Sequence, residues 1–327
     1  MLAALLLPLA QLTCQWIPAP PAPPRAVQGA IDLAFDWLVR HQDEDGRWSA
    51  SLFVRHDPKG APCTGPGKPD QDFLVSSFVL TAAVSNGSTL RSGPLQPMVQ
   101  RATKWVIAQQ DARGFLGPPE PDNAVCAHAI ATYALGLAAG SGDPAVVAAA
   151  QRARACLFSL RLPGSGWPHA VSGTALDGEA TLWAGFAALA APGMVFQPRE
   201  FQLLPNLLAT DPRLPPAAVL AARSFVGPEP TAAECTVLTD HPPRWPDARH
   251  DADFLAWYLG TVACERMRGT AWTNWRDPLL AASLAHQRTD GSFAGSWDPV
   301  DVRGKEGGRV FATAMQLHCL LIARRGM

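Results

Sequence analysis

Three short acidic clusters hold the residues in this 327-residue chain whose types and spacing could do chemistry. They are Asp70-Gln71-Asp72, Asp177-Gly178-Glu179 and Asp251-Ala252-Asp253, and His250 precedes the last of them. A carboxyl group acts as an acid near neutral pH only where burial raises its pKa well above about 4. At the start of a helix the same group caps free backbone amides and stabilises the helix by about 1 kcal/mol. Both interpretations stay open: a group that binds or protonates a ligand, or a helix cap.

A second set of polar residues lies within or beside apolar stretches. Asp122 and Arg309 stand at the starts of two such stretches, and Thr313 follows Arg309 after about one helical turn. His128 and Thr132 are four residues apart, which would place them on the same face of a helix. They could face a central cavity together. The alternative is a core histidine whose hydrogen bonds are satisfied.

The segments that carry these residues are apolar on every side. They are residues 72–85, 123–139, 177–191, 253–267 and 309–325. A helix that is apolar all round must be covered all round, so we expect these segments to be inner helices. The segments between them alternate charged and apolar residues, as an outer layer does, at 26–42, 97–110, 144–160 and 275–288.

The Pro-rich stretch from residue 198 to 250 adds three helix-length pieces, at 198–209, 215–226 and 229–240. They complete six outer and six inner helices. No alternating apolar pattern predicts a strand. Six antiparallel hairpins whose inner helices need cover on all sides close into a ring, in which every inner helix runs the same way. The polar residues at the helix starts should then share one face of the ring.

A short motif recurs at the ends of the outer segments. Its copies contain Trp37, Gln42, Gly46 and Trp48; Trp105, Gln110 and Gly114; Trp167 in a degenerate copy without Gln; and Gln287, Gly291 and Trp297. Glycine supplies the positive φ that closes a helix, Gln can bond nearby backbone, and the following aromatic ring packs on the turn. Recurrence of this kind indicates a helical repeat.

The motif resembles the repeat of squalene cyclases and protein prenyltransferase β subunits. Residues 101–114 match its basic, aromatic, Gln and Gly positions in full, and residues 37–48 match all but the basic start. The resemblance extends over about residues 26–325. It implies the α/α-toroid fold of the terpenoid cyclase superfamily, and we expect one all-α domain over residues 25–327.

The family's catalytic motifs are missing from the sequence. There is no Asp-x-Asp-Asp-Thr motif for protonating an alkene, no Asp-x-Cys pair for a prenyltransferase zinc and no Asp-Asp-x-x-Asp diphosphate site. We therefore expect a module that binds a small apolar ligand or a protein partner. The alternative is an enzyme that acts on an isoprenoid-like or other apolar substrate in the lumen. A deep, aromatic-lined lumen would favour the enzyme, and a lumen plugged by side chains would favour binding.

The net charge and the spacing of the cysteines exclude some classes of ligand. The formal net charge is -1 and no basic run occurs, which argues against nucleic acid. The seven cysteines show no spacing suited to zinc, so neither a metal nor a cofactor is expected.

The N-terminal residues resemble a targeting segment. The apolar run of residues 2–13 is too short to span a bilayer, and a Pro-rich stretch follows it up to residue 24. Residues 1–24 are interpreted as a signal-like segment and linker, which favours an exported or periplasmic protein over a cytoplasmic one. A frayed tail is the alternative. No transmembrane span is expected.

Overall fold

The computed structural model describes residues 25–120, 123–163, 166–190, 204–226, 230–247 and 251–326. The predicted N-terminal segment, residues 1–24, lies outside these ranges. Within them the chain forms twelve α-helices: α1 (Arg25–Arg40), α2 (Asp72–Ser85), α3 (Gln96–Ala108), α4 (Ala124–Ala138), α5 (Pro144–Ser159), α6 (Gly178–Leu189), α7 (Leu204–Ala209), α8 (Pro216–Val226), α9 (Ala232–Thr239), α10 (Phe254–Met267), α11 (Gly269–Ala285) and α12 (Gly304–Arg325).

The described residues contain one small sheet, made of two strands of two residues each. Strand β1 (Trp167–Pro168) pairs antiparallel with β2 (Leu176–Asp177), with Trp167 opposite Asp177. Short 3-10 turns occur at Phe53–His56, Pro69–Gln71, Ala139–Ser141 and Gly291–Phe293.

The even-numbered helices form an inner ring. Each contacts the next, from α2 through α4, α6, α8 and α10 to α12, and α12 packs back against α2. The inner helices are buried on nearly every side; in α2, for example, almost every residue from 73 to 83 is buried. Helix α1 instead buries one stripe, at Val27, Ile31, Ala34 and Leu38, and exposes the opposite face. The predicted all-α ring of inner and outer helices is therefore confirmed.

The bounds of the inner helices follow the apolar segments closely. The exception is α12, which begins at Gly304 rather than at Arg309 and is broken at Gly308, where φ is 64°. A side chain at residue 308 would collide with the backbone of Gly67, at 2.3 Å from its nitrogen. The loop before α2 and the start of α12 are thus pressed together, which joins the two ends of the ring. Of the predicted piece 198–209, the structure describes a helix over Leu204–Ala209.

The repeated Gln residues join neighbouring hairpins. The Gln42 amide donates to the carbonyl oxygens of Gly46 in its own turn (2.8 Å) and Met98 of α3 (3.1 Å). Gln110 bonds Gly114 and Ala149 of α5 in the same way. Gln287 bonds Gly295 and Ala30 of α1, which closes the ring. Each Gln therefore links one outer helix to the next.

The third copy of the motif contains two glycines with different surroundings. Gly46, Gly114 and Gly291 all have positive φ, as expected. A Cβ at Gly46 would lie 2.3 Å from the Arg101 carbonyl oxygen, and one at Gly114 would lie 2.5 Å from that of Arg152. At Gly291 such an atom would meet nothing within 4 Å, whereas at Gly295 it would lie 2.0 Å from the Leu33 oxygen. The close approach between hairpins is thus made by Gly295.

The repeated tryptophans fasten the turns to the helices. The indole nitrogens of Trp48, Trp167 and Trp297 donate to the carbonyl oxygens of Leu38, Leu157 and Ser283, at 2.6 to 2.8 Å. Trp37 is fully buried and donates to Ser292, whereas Trp105 is partly buried against Phe73.

Candidate functional site

A cavity of about 350 Å³ opens where the inner helices begin, and we call it the mouth cavity. The start of α12 contributes Arg303, Glu306 and Phe311, and the turn before α2 contributes Lys68 and Asp70. The remaining bordering residues are His169, Gly307 of α12, and residues at or within two turns of the starts of the other inner helices: Gln71, Leu74, Phe78, Asn123, Cys126, Glu179 and Leu255. Since all inner helices run the same way, one opening collects residues from five of them.

Two ion pairs form the rim of the mouth cavity. One guanidinium nitrogen of Arg303 donates to both oxygens of Glu179, at 3.1 and 3.3 Å, and so joins α12 to α6. Lys68 pairs with Glu306 at 3.0 Å, with both side chains more than half exposed. The two cations that border the cavity are thus already bonded to carboxylates.

A cluster of aromatic side chains, the aromatic plug, fills the middle of the ring. It consists of Phe78, Trp183, Tyr258, Phe311 and His318, from α2, α6, α10 and α12. Phe78 lies 5.2 Å from Trp183 and 5.8 Å from Phe311 between ring centroids, and Tyr258 lies 5.3 Å from His318. Phe78 and Phe311 border the mouth cavity, whereas Tyr258 and His318 border a second cavity of about 150 Å³ at the opposite end. The plug therefore divides the lumen into two chambers.

Cys126 and Asp301 are ionisable groups buried at this end of the ring. Burial, reinforced by the charges of Glu179 and Asp177, raises the pKa of the Cys126 thiol well above its usual value. The thiol therefore stays protonated and is a poor nucleophile. Burial and the nearby Asp253 raise the pKa of Asp301 to about 6. A carboxyl group with that pKa can serve as an acid at mildly acidic pH.

Three of the acids predicted from sequence bond to backbone amides near helix starts. Asp177 and Asp253 accept from the amides of Ala180 and Ala256 and so cap α6 and α10. Asp72 accepts instead from the amide of Ala50, in the loop before its own helix, and burial raises its pKa. None of these three is among the residues bordering the mouth cavity.

The other acidic candidates fall in three places. Glu179 borders the mouth cavity and pairs with Arg303. Asp251 is exposed. Asp122 and His250 lie outside the described residues.

The expected lumen group of His128, Thr132, Arg309 and Thr313 does not face the cavity. His128 and Thr313 are buried and accept from the backbone amides of Leu116 and Trp297, as Ser76 and Thr181 do for Trp48 and Trp167. Each thus fastens an inner helix to its turn. His128 therefore lies in the core, with Nδ1 bonded and no hydrogen-bond partner at Nε2 among the described residues, and burial lowers its pKa to about 3.

Thr132 and Arg309 also have structural bonds. The Thr132 hydroxyl donates to the His128 carbonyl oxygen at 2.7 Å. Arg309 is 1% exposed and donates to Thr64 O (2.7 Å), to Ser296 Oγ (3.0 Å) and to a carboxylate oxygen of Asp298. It anchors the loop before α2 and is not available to an anion in the lumen.

Sequence reasoning missed Lys68, Arg303 and Glu306 at the rim, and Asp301 behind it. The last inner helix was predicted to begin at Arg309, so the charged run from Asp301 to Glu306 was not assigned to a helix start. The signal was present, because Gly307 and Gly308 allow a break and the charges before them mark an earlier start. Among the described residues, the group of side chains spaced for a metal lies away from this cavity, beyond the end of α1.

One inner helix is apolar enough to cross a membrane by length and composition. It runs from Ala124 to Ser141 and includes the 3-10 turn after α4. Most of it is buried between α2 and α6. The core helix of a ring meets the same criterion, so this is weak evidence for a membrane span.

No model of a known protein family matches the chain, and no curated protein matches it in sequence. Solved structures do match. The type II terpene cyclase MstE from Scytonema is 16% identical with a TM-score of 0.57, over 92% of this chain and 99% of that one. An α-amylase from Clostridium perfringens is 11% identical with a TM-score of 0.56, over 92% and 98% of the two chains. A protein from Actinoplanes is 15% identical with a TM-score of 0.52.

These similarities extend over nearly the full length of each chain, but all lie far below the identity at which activity is shared. They include two enzymes of unrelated chemistry, so the fold alone does not determine function. The chain has the α/α-toroid fold of the type II terpene cyclases.

Proposed function

We propose that the protein binds a small amphipathic molecule in the mouth cavity. The observation that carries the proposal is the division of this cavity into a charged rim and an apolar base. Leu74, Phe78 and Phe311 supply apolar surface, and Arg303 and Glu179 supply hydrogen-bonding groups at the rim. Small-molecule sites in proteins combine these two features.

The size of the cavity favours a short ligand. Its volume of about 350 Å³ is near the lower end of the roughly 300–1,000 Å³ of small-molecule sites. A variant of MstE is known in complex with geranylgeranyl dihydroxybenzoate, a substrate with a long prenyl chain. In the present chain the aromatic plug ends the mouth cavity at Phe78, which supports a ligand with a shorter apolar part.

The charges favour a neutral head group over a diphosphate. Both rim cations are paired, Arg303 with Glu179 and Lys68 with Glu306. A diphosphate would have to displace two carboxylates, whereas a hydroxyl group can donate to Glu179 or accept from Arg303 without breaking the pairs.

Acid catalysis on an isoprenoid-like substrate is the second candidate, and Asp301 is the observation that favours it. Its pKa of about 6 would let it carry a proton at mildly acidic pH. Binding has better support because Asp301 is not among the residues that border the cavity, and because the aromatic plug closes the lumen.

Three alcohols that share a head group test the proposal: geraniol, farnesol and geranylgeraniol. Isothermal titration of the full chain should show that geraniol binds at least as tightly as geranylgeraniol, because the plug limits chain length. Phe78→Ala should open the plug and improve geranylgeraniol affinity about tenfold, or roughly 1.4 kcal/mol.

Phe73→Ala is the matched control, since Phe73 is buried on the same helix but packs against Trp105 rather than in the lumen. Equal effects of the two substitutions on alcohol affinity, or no binding of any alcohol by the folded wild type, would contradict the proposal. A new product in the reaction mixture that disappears with Asp301→Asn would favour catalysis instead.

A further inference from the structure

A buried trio of unlike side chains, His41, Asp57 and Cys63, lies outside the lumen beyond the end of α1. Nε2 of His41 is 3.0 Å from Oδ1 of Asp57, and Sγ of Cys63 is 3.6 Å from that same oxygen. The three possible ligand atoms all lie within 4.8 Å of one another. The side chains of His41 and Asp57 are each 2% exposed.

The distances suit a tetrahedral metal ion. Zinc binds imidazole nitrogen and carboxylate oxygen at about 2.0–2.2 Å and thiolate sulfur at about 2.3 Å, so tetrahedral ligands lie roughly 3.3–3.8 Å apart. The separations of 3.0 and 3.6 Å from Asp57 Oδ1 lie close to this range, and the ligand atoms of His41 and Cys63 lie within 4.8 Å of each other.

The hydrogen bonds around the trio hold its side chains in the orientation that is usual for metal ligands. Nδ1 of His41 lies 2.7 Å from the carbonyl oxygen of Trp37, which can only accept, so Nδ1 must carry a hydrogen. Metal-binding histidines commonly donate their second ring nitrogen to a carbonyl in this manner. The other oxygen of Asp57 accepts from the backbone amide of Cys63 at 2.7 Å, and the Trp37 ring stacks on the imidazole at 4.0 Å.

When His41 is neutral, two acceptors face each other in this arrangement. With its hydrogen on Nδ1, neutral His41 turns the lone pair of Nε2 toward a carboxylate oxygen 3.0 Å away. Two electron-rich atoms in a buried place repel each other unless a cation or a proton lies between them. A metal ion supplies that positive charge.

We propose that His41, Asp57 and Cys63 bind one zinc ion. The ion replaces the thiol proton of Cys63, which passes to solvent, and the carboxylate and thiolate then balance its two positive charges. A mixed nitrogen, oxygen and sulfur set favours zinc over calcium or magnesium, which take oxygen ligands. A water molecule completes the fourth position.

The zinc would stabilise the closure of the ring. Asp57 and Cys63 belong to the loop that runs on to Lys68. This loop is bonded to the start of α12, since Arg309 N donates to Gly65 O at 2.8 Å and Lys68 N to Glu306 O at 2.7 Å. A metal that ties the loop to the end of α1 therefore holds the first hairpin against the last helix.

Cobalt(II) and zinc(II) titrations of the chelator-treated full chain test the proposal. We expect one equivalent of cobalt to produce a sulfur-to-cobalt charge-transfer band in the near ultraviolet, and one equivalent of zinc to displace it. Zinc should also raise the unfolding temperature. Absence of the band from the wild-type chain would overturn the proposal without any variant.

Two ligand variants and a control locate the site. Cys63→Ser should abolish the band, and His41→Gln should weaken metal affinity roughly a hundredfold or more. Cys156→Ser, at a buried thiol on α5, should leave both unchanged. Circular dichroism in chelator checks that each variant is folded. A band that persists in Cys63→Ser, or that is lost equally in Cys156→Ser, would overturn the assignment.

Discussion

Gly46 and Gly291 both have positive φ, but their surroundings differ. A Cβ at Gly46 would lie 2.3 Å from the Arg101 carbonyl oxygen, whereas one at Gly291 would meet open space. We therefore expect Gly46→Ala to lower the free energy of unfolding by about 2–4 kcal/mol, through strain and forced separation of two hairpins. Gly291→Ala should lower it by only about 1 kcal/mol. Urea denaturation measures both losses. Equal losses would show that the cost depends on the positive φ alone and not on the close contact.

Sequence spacing did not reveal which glycine of the third copy makes the close contact between hairpins. In the first two copies the bonded Gln and Gly are four residues apart, but Gln287 and Gly295 are eight apart. The 3-10 turn at Gly291–Phe293 lengthens this copy. A glycine at the expected interval, Gly291, therefore hid the one that makes the close contact.

Replacing Asp301 by an uncharged residue should stabilise the protein, and the gain in the free energy of unfolding should depend on pH. Burial raises its folded-state pKa from 3.8 to about 6. In the wild type this destabilisation is absent below pH 3.8, grows as pH rises, and is complete above pH 6. Asp301→Asn should therefore stabilise the protein by about 2–3 kcal/mol at pH 7.5 and by little at pH 4. Exposed Asp240→Asn serves as the control, and a gain for Asp301→Asn that is equal at both pH values would contradict the prediction.

The backbone is strained at Arg268, in the turn between helices α10 and α11. Arg268 has φ 61° and ψ -166°, a region that is nearly confined to glycine. Arg268→Gly should raise the free energy of unfolding by about 1 kcal/mol, since relief of the strain exceeds the added chain entropy. Arg268→Ala keeps the strain while removing the exposed pair with Glu265, and should not stabilise. If both variants are equally stable in urea, the turn is not strained.

The helices themselves were the part of the fold most open to prediction. Inner helices such as α2 and α4 are apolar all round because they are packed on all sides, and that composition is visible in the sequence. The start of α12 was misplaced because Gly308 breaks the helix without ending it. A local pattern does not reveal that the break fits against Gly67 from a distant loop.

Arg309 connects the two ends of the whole molecule. It is bonded to Thr64, Ser296 and Asp298 and lies 4.6 Å from the Phe293 ring centroid. Arg309→Lys should lower the free energy of unfolding by about 2–4 kcal/mol, because an ammonium group does not reproduce this planar fork of donors. Hydrogen exchange in residues 61–67 should accelerate. Arg276→Lys, beside Asp277 on the outside, should change neither, and comparable losses in the two variants would refute the prediction.

The candidate site was less predictable than the ring, because it forms only when distant segments meet. Glu179 and Arg303 are 124 residues apart, and His41, Asp57 and Cys63 follow no familiar metal-binding spacing. The sequence nevertheless indicated which face would carry polar groups, since parallel inner helices begin together. It did not distinguish caps such as Asp177 from the rim residue Glu179, which is two positions further along the same helix.

The contact that closes the ring forms between segments that are synthesised at very different times. The Gln287 side chain bonds Ala30, which precedes it by 257 residues. At a translation rate of about 5–20 residues per second, α1 emerges roughly 10–50 s before the segment that completes its surroundings. Throughout that interval its apolar stripe has only part of its native cover, so nascent chains that stop short of residue 287 should be the ones that chaperones retain.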